Sequence, residues 1–283
     1  MDMESATVIG GGGTKLHVRD GGRRDGPPIL FVHGWSQHHL AFRRQFESPL
    51  AEEFRLVALD LRGHGMSDVP ADVAAYTSED TWAADIAAVI EQRGLTRPVI
   101  VAWSYGGYVV SDYLDRHGDG HVAGINYAGW SVVVGEPVPR FVGRGFHDFH
   151  AGAISEDMPT EIAAMRGFVH ACFGGPIPQE DLETILAFNV MTPRFVRYAL
   201  TQKPYKDYAP VLAKLEVPVL ISHGTAETVA LPSAADYALR NCPTAKVSWY
   251  EGAGHAPFVE DPGRFNRELA DFTRAARKKR SAP

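Results

Sequence analysis

Short apolar runs bounded by glycine or proline alternate with longer amphipathic stretches along this chain. The runs Pro28–Val32, Phe54–Asp60, Pro98–Ala102, Val122–Tyr127, Pro218–Ser222 and Lys246–Tyr250 predict six buried strands. Each is short and apolar enough to be covered by helices on both faces. Between them, Thr77–Arg93 places Trp82, Ile86, Val89 and Ile90 at helical spacing, with Ser78 as an N-cap. Tyr108–His117 predicts a second helix, and Phe265–Arg280 a third with Phe265, Leu269 and Phe272 on one stripe. Thr7–Arg19, centred on Gly10–Gly13, predicts a hairpin. The glycines lack the GxGxxG register and the Lys-Ser/Thr of a phosphate cradle.

Strand and helix in alternation predict an α/β fold with a mostly parallel sheet flanked by helices. The rhythm breaks from about Trp130 to Leu215, where helical patterns occur without a clear strand. The expected organisation is a core of residues 1–129 and 216–283 with a helical cap, or lid, inserted over 130–215. The cap is aromatic: Phe141, Phe146, Phe149, Phe168 and Phe173, with Met158, are its candidate core and pocket residues.

Composition narrows the picture only a little. The 283 residues are 45% hydrophobic and 22% charged, ordinary for a globular protein, which excludes disorder as the main state. A chain this long can bury about three quarters of its unfolded surface and needs no metal or staple for stability. The formal charge of −6 gives no reason to expect nucleic acid. The basic C-terminal residues Arg274, Arg277, Lys278, Lys279 and Arg280 suit the negative end of a helix. Cys172 and Cys242 lack CxxC spacing, so a disulfide framework or zinc site is not expected and a reducing cytoplasm fits. The N-terminus has no signal-peptide h-region, and no apolar run nears the ~20 residues of a membrane span. The expected partner is a small molecule, and a homo-oligomer stays open.

Three separate segments carry chemistry. Ala102-Trp103-Ser104-Tyr105-Gly106-Gly107 lies where a buried strand gives way to a helix. A sharp turn there lifts a serine above the sheet edge, provided that the residues two before and two after it are small. Ala102 and Gly106 meet that need. Phe31-Val32-His33-Gly34-Trp35 ends another strand with a glycine, so the amides of Trp35 and Tyr105 could form a two-donor oxyanion hole. His255, in the small-residue loop Glu251–Phe258, is the candidate base. Glu227, past the strand ending at Ser222, is the candidate acid that fixes the imidazole tautomer. Of the twelve histidines, His33 and His64 sit beside glycines and are expected to bond locally; His147, His150 and His170 lack metal-site spacing.

These segments together resemble the α/β-hydrolase fold, in the branch of esterases, lactonases and cofactor-free haloperoxidases (perhydrolases). Asp60-Leu61-Arg62-Gly63-His64-Gly65-Met66-Ser67-Asp68 is similar to that branch's D-x-R-G-H-G-x-S turn. Gly224-Thr225-Ala226-Glu227 is similar to its G-x-x-D, with Glu in the Asp place. Gly254 to Pro262 is similar to its histidine loop, G-H-x-P-x-x-E-x-P. Ala102 stands where the motif usually has glycine. The resemblance covers about Pro28 to Phe272 and implies a triad of Ser104, Glu227 and His255 with no cofactor and no metal. It implies a serine hydrolase of a small to medium, largely apolar ester or lactone. By position, Trp103, Ser36, His38 and Phe146 are the expected substrate contacts.

The departures also discriminate. A serine nucleophile argues against the haloalkane dehalogenases and epoxide hydrolases of this fold, which use Asp. Glu as the acid resembles some acyl-homoserine lactonases. Asn126–Trp130 holds no carboxylate after the fourth strand, which argues against the zearalenone-lactonase arrangement and the cofactor-free quinolone dioxygenases. The alternatives are a perhydrolase, a carbon–carbon bond hydrolase, a cofactor-free oxygenase and a ligand receptor on the same fold.

Overall fold

A computed structural model of the chain describes residues 3–135 and 141–278. Ten strands occur among them: β1 (Glu4–Ile9), β2 (Lys15–Gly22), β3 (Pro28–Val32), β4 (Arg55–Leu59), β5 (Val99–Trp103), β6 (Gly124–Ala128), β7 (Val133–Val134), β8 (Lys206–Asp207), β9 (Val219–Gly224) and β10 (Ala245–Tyr250). Eight of them form one sheet in the order β1-β2-β4-β3-β5-β6-β9-β10. β2 pairs antiparallel with β1 and β4, and every other pairing in this sheet is parallel. All six strands expected from the apolar runs are present, within two residues at each end.

The apolar runs are explained by two cores, one on each face. Along β3, Leu30 and Val32 enter one core while Ile29 and Phe31 enter the other. Along β5, Ile100 and Ala102 alternate in the same way with Val99, Val101 and Trp103. With the parallel strands buried on both sides, an alternating pattern has no face to mark.

The helices of at least eight residues are α1 (Glu79–Gln92), α2 (Tyr105–His117), α3 (Arg144–Ala153), α4 (Met158–Ala171), α5 (Gln179–Met191), α6 (Arg194–Thr201), α7 (Pro232–Asn241) and α8 (Pro262–Lys278). Ser78 caps α1 by accepting from the Thr81 amide at 3.2 Å. The second helix starts three residues earlier than its apolar stripe implies, because Ser104, the residue just past β5, already occupies the N-cap position. The glycine hairpin is a turn at Gly11–Gly13, where Gly12 and Gly13 take φ of +65° and +80°. Of the basic C-terminal residues, Arg274 pairs with Glu53 and Asp271, and Lys279 and Arg280 lie outside the described residues.

Helices α3 to α6 all fall between β6 and β9 in the chain. This stretch, expected to hold helical patterns without a clear strand, does contain strand pairing. β7 and β8 form a two-stranded antiparallel ribbon, Val133 opposite Asp207 and Val134 opposite Lys206. Two residues per strand are too few to leave a period in the sequence. Met158, expected among the packed side chains, is instead exposed at the start of α4.

Candidate active site

Ser104 takes φ of 54° and ψ of −121°, a left-handed conformation that costs a non-glycine residue on the order of 1 kcal/mol or more. Neighbours hold it there. Its amide donates to the Ala128 carbonyl at 2.9 Å, and its carbonyl accepts from the Gly107 amide at 2.8 Å. The tightness of the turn explains Gly106: a β-carbon there would lie 2.5 Å from the Val32 oxygen and 2.7 Å from the His33 oxygen. Ala102, two residues before the serine, is fully buried within β5, so its methyl is accommodated.

His255 follows β10 on a loop held from several sides. Its amide donates to the Cys172 carbonyl at 2.8 Å, and its carbonyl accepts from the Trp103 indole at 2.9 Å. Glu260 holds the loop as well, accepting from the amides of Gly254 at 2.7 Å and Gly174 at 2.8 Å. Burial and the nearby Glu227 push the Glu260 carboxyl above the usual carboxylate range, against those two amides. The His255 Nδ1 lies 2.6 Å from Glu227 Oε2, while Glu227 Oε1 accepts from the Val229 amide at 2.6 Å. Both side chains are buried. With the carboxylate taking Nδ1–H, the imidazole's Nε2 is left as an acceptor.

Ser104, His255, Trp35 and Tyr105 border one cavity of about 360 Å³. Phe146, Phe168, Val133, Leu200 and Val229 supply its apolar wall, and Tyr108, Ser131, His147 and Gln202 its polar groups. Trp35 meets Phe146 and Phe168 edge-on, with ring centroids 5.3 and 5.1 Å apart. Burial pushes the Tyr108 hydroxyl up to about 12, so it stays a hydrogen-bond donor, shared with Ser131 Oγ and the Val133 carbonyl. Burial, and then His147, push His150 below its ordinary value. The Tyr105 amide sits in the first turn of α2, among those a helix leaves without an intrahelical acceptor.

Of the expected substrate contacts, Phe146 lines the cavity and three others do not. Trp103 is turned to the opposite side of β5, where its indole supports His255. Ser36 is fully buried, its hydroxyl donating to the Asn189 carbonyl at 2.9 Å. His38 stacks on Phe188 and accepts from the Leu40 amide at 3.1 Å. Chain position put all three near the serine, but strand alternation and the fold of the loop turned them away. Tyr108 was missed although it lies one helical turn past Ser104, and Ser131, His147 and Gln202 because they reach the cavity only through tertiary packing, which nothing local in the sequence marks. Glu260 was legible, being the glutamate of the histidine loop.

Among the described residues, His17, His39 and Asp60 offer three metal-ligand atoms within 4.8 Å of one another. The Asp60 carboxylate already accepts from both imidazoles at 2.9 Å, and from the amides of His39 at 2.8 Å and Met66 at 3.2 Å. The protein itself fills its acceptor positions, and none of the three borders the Ser104 cavity. Cys172 and Cys242 are free and buried, and burial holds the Cys172 thiol well above its ordinary range. No helix among the described residues is long and apolar enough to cross a membrane.

Comparison with known proteins agrees with this architecture. The crystal structure of the esterase RhEst1 from Rhodococcus sp. ECU1013 superposes with a TM-score of 0.90 at 34% identity, covering 96% of this chain and 99% of its own. A non-heme chloroperoxidase from Streptomyces lividans is 28% identical over 95% of this chain and 99% of its own length. A bifunctional esterase/perhydrolase from Acinetobacter calcoaceticus is also 28% identical, over 93% of this chain and 97% of its own. The sequence profile of the alpha/beta hydrolase family matches residues 29–268, and this chain belongs to that family.

Proposed function

We propose that the protein is a serine hydrolase that cleaves a small to medium, largely apolar carboxylic ester or lactone through an acyl-enzyme. The observation that carries this reading is the 2.6 Å contact between His255 Nδ1 and Glu227, with Ser104 on a strained turn bordering the same cavity as the imidazole. In the reaction, His255 Nε2 takes the Ser104 hydroxyl proton as Oγ attacks the carbonyl carbon. The Trp35 and Tyr105 amides donate to the oxyanion. Collapse expels the alcohol, which receives the proton from His255. Water then attacks the acyl-enzyme with His255 again as base, and the acid leaves from Ser104.

The cavity supports the substrate class. Its wall of Phe146, Phe168, Leu200 and Val229 suits an uncharged acyl group, and its volume of about 360 Å³ suits a small to medium one. Residues 130–215 act as the cap in this reading, because Phe146, His147, Phe168 and Leu200 come from them. A panel of p-nitrophenyl esters from acetate to octanoate, beside simple lactones, tests it. Turnover that falls with acyl length and vanishes in Ser104→Ala is expected, and retention of wild-type turnover in Ser104→Ala would overturn it.

Perhydrolysis is the second reading, favoured by the likeness to the chloroperoxidase and the esterase/perhydrolase. Hydrogen peroxide would replace water as acyl acceptor on the same serine. Acetate-dependent bromination compared with ester hydrolysis separates the two.

A further inference from the structure

We infer that His33 and His64 are positioning residues for the oxyanion hole, two buried neutral imidazoles that clamp the consecutive peptides Gly34–Trp35 and Trp35–Ser36. The inference rests on the serine-hydrolase reading, since it concerns how that site aims its Trp35 amide.

The tautomers follow from the bonding. His33 Nε2 receives the Leu61 N–H at 3.0 Å, so it carries no proton, and Nδ1–H donates to the Gly34 carbonyl at 2.9 Å. His64 repeats the arrangement: Nε2 receives the Ser36 N–H at 3.2 Å, and Nδ1–H donates to the Arg62 carbonyl at 2.9 Å. Each ring therefore joins the loop after β3 to the loop after β4. The rings touch edge to face with centroids 5.0 Å apart, and both are at most 1% exposed. Burial pushes His33 well below its ordinary value and His64 down to about 4, which agrees with neutral rings.

The consequence for the oxyanion hole comes from peptide geometry. In a planar trans peptide, C=O and N–H point in opposite directions. The Gly34 carbonyl and the Trp35 N–H belong to one such unit; the carbonyl accepts from the Gln37 amide at 3.3 Å and from His33 at 2.9 Å, so the shorter His33 bond is the side-chain contact that fixes where the N–H points. That unit lies against the nucleophile: a β-carbon on Gly34 would fall 2.9 Å from Ser104 Cβ and 3.3 Å from its Oγ. The next peptide is held by His64 at the Ser36 N–H. Ser36 itself has φ of +58°, a strained value for a non-glycine residue, and its hydroxyl is tied to Asn189.

Matched substitutions separate positioning from packing. His33→Asn keeps a donor near Nδ1, whereas His33→Gln places its amide near Nε2 and loses the bond to Gly34. His64→Gln keeps an acceptor near Nε2 for the Ser36 amide, whereas His64→Asn loses it. Kinetics on p-nitrophenyl butyrate should show kcat falling about 10- to 100-fold in His33→Gln and His64→Asn with KM little changed. Much of that loss should be recovered in His33→Asn and His64→Gln. Long-range ¹H–¹⁵N spectra of histidine-labelled wild-type protein should show both rings as the neutral Nδ1–H tautomer at pH 7. Nε2–H tautomers, or equal losses within each matched pair, would overturn the clamp. If the wild-type protein turns over no ester, the hydrolase reading fails by itself, and the tautomer spectrum still decides the clamp.

Discussion

Glu227 Oε2 and His255 Nδ1 lie 2.6 Å apart although 28 residues separate them, and both side chains are buried. The second carboxylate oxygen is taken up by the Val229 amide at 2.6 Å, so the acid is fixed at both ends. Replacing Glu227 by Gln keeps the shape and removes the charge. The amide can no longer stabilise an imidazolium, and its NH₂ favours the wrong tautomer of His255. We expect kcat for p-nitrophenyl butyrate to fall by about a hundredfold or more with KM nearly unchanged. A loss smaller than about threefold would remove Glu227 from the mechanism.

Substrate size should be set by the aromatic wall. Phe146 meets Trp35 edge-on in the cavity wall, with ring centroids 5.3 Å apart. Phe146→Ala deletes a ring that a short acyl chain needs for contact and opens room that a longer one can fill. The ratio of kcat/KM for octanoate over acetate esters should rise about tenfold, the scale of one or two methylene contacts. An unchanged ratio would place the acyl group elsewhere in the cavity.

The stretch before β9 is anchored to α2, the helix that follows Ser104, by a buried ion pair. Lys203 Nζ lies 2.7 Å from Asp112 Oδ2 on α2, and the Tyr208 hydroxyl donates to the other oxygen at 2.8 Å. Burial nevertheless raises the Asp112 carboxyl, so the pair sits in a costly place. Lys203→Met strands that carboxylate, leaving the Tyr208 hydroxyl and the more distant Lys206 cation at 3.6 Å. We expect a loss of about 3 kcal/mol in urea unfolding, largely recovered when Asp112 is also made apolar. A change below about 1 kcal/mol would show that the pair is not an anchor.

Acid should destabilise the protein through His64. Its folded value of about 4 lies below the ~6.5 of an unfolded histidine, so the unfolded chain binds more protons between those limits. Its contribution to stability is whole above pH ~6.5 and is lost as pH falls toward 4, on the order of 3 kcal/mol in all. Burial sets this value first, against the Arg62 carbonyl and the Asp60 charge, with His38 and Arg197 adding to the lowering. The difference in unfolding free energy between wild type and His64→Gln should therefore shrink across that window. Parallel curves would contradict the assignment.

How much of this was legible in sequence depended on whether the signal was local. Six strands were visible because residues such as Ile29–Val32 and Val99–Ala102 face two cores at once and leave an unbroken apolar run. Ser104, Glu227 and His255 were visible because each lies just past a strand end, among the small residues that a sharp turn or loop demands. The β7–β8 ribbon was not, since two residues carry no periodicity. The cavity was only partly legible. Trp103 neighbours the serine in sequence yet faces the other side of β5, whereas Tyr108, one helical turn further on, lines the cavity. Ser36 and His38 were misjudged because the loop after β3 buries them. Helical phase and loop path decide such contacts, and neither follows from proximity along the chain.

Covalent acylation of Ser104 is the step on which the hydrolase reading stands, and direct mass mapping detects it. After reaction with a fluorophosphonate, one added phosphonyl group is expected on the peptide that carries Ser104, absent from Ser104→Ala. Wild-type protein that hydrolyses esters while its label falls on another residue, or on none, would contradict it.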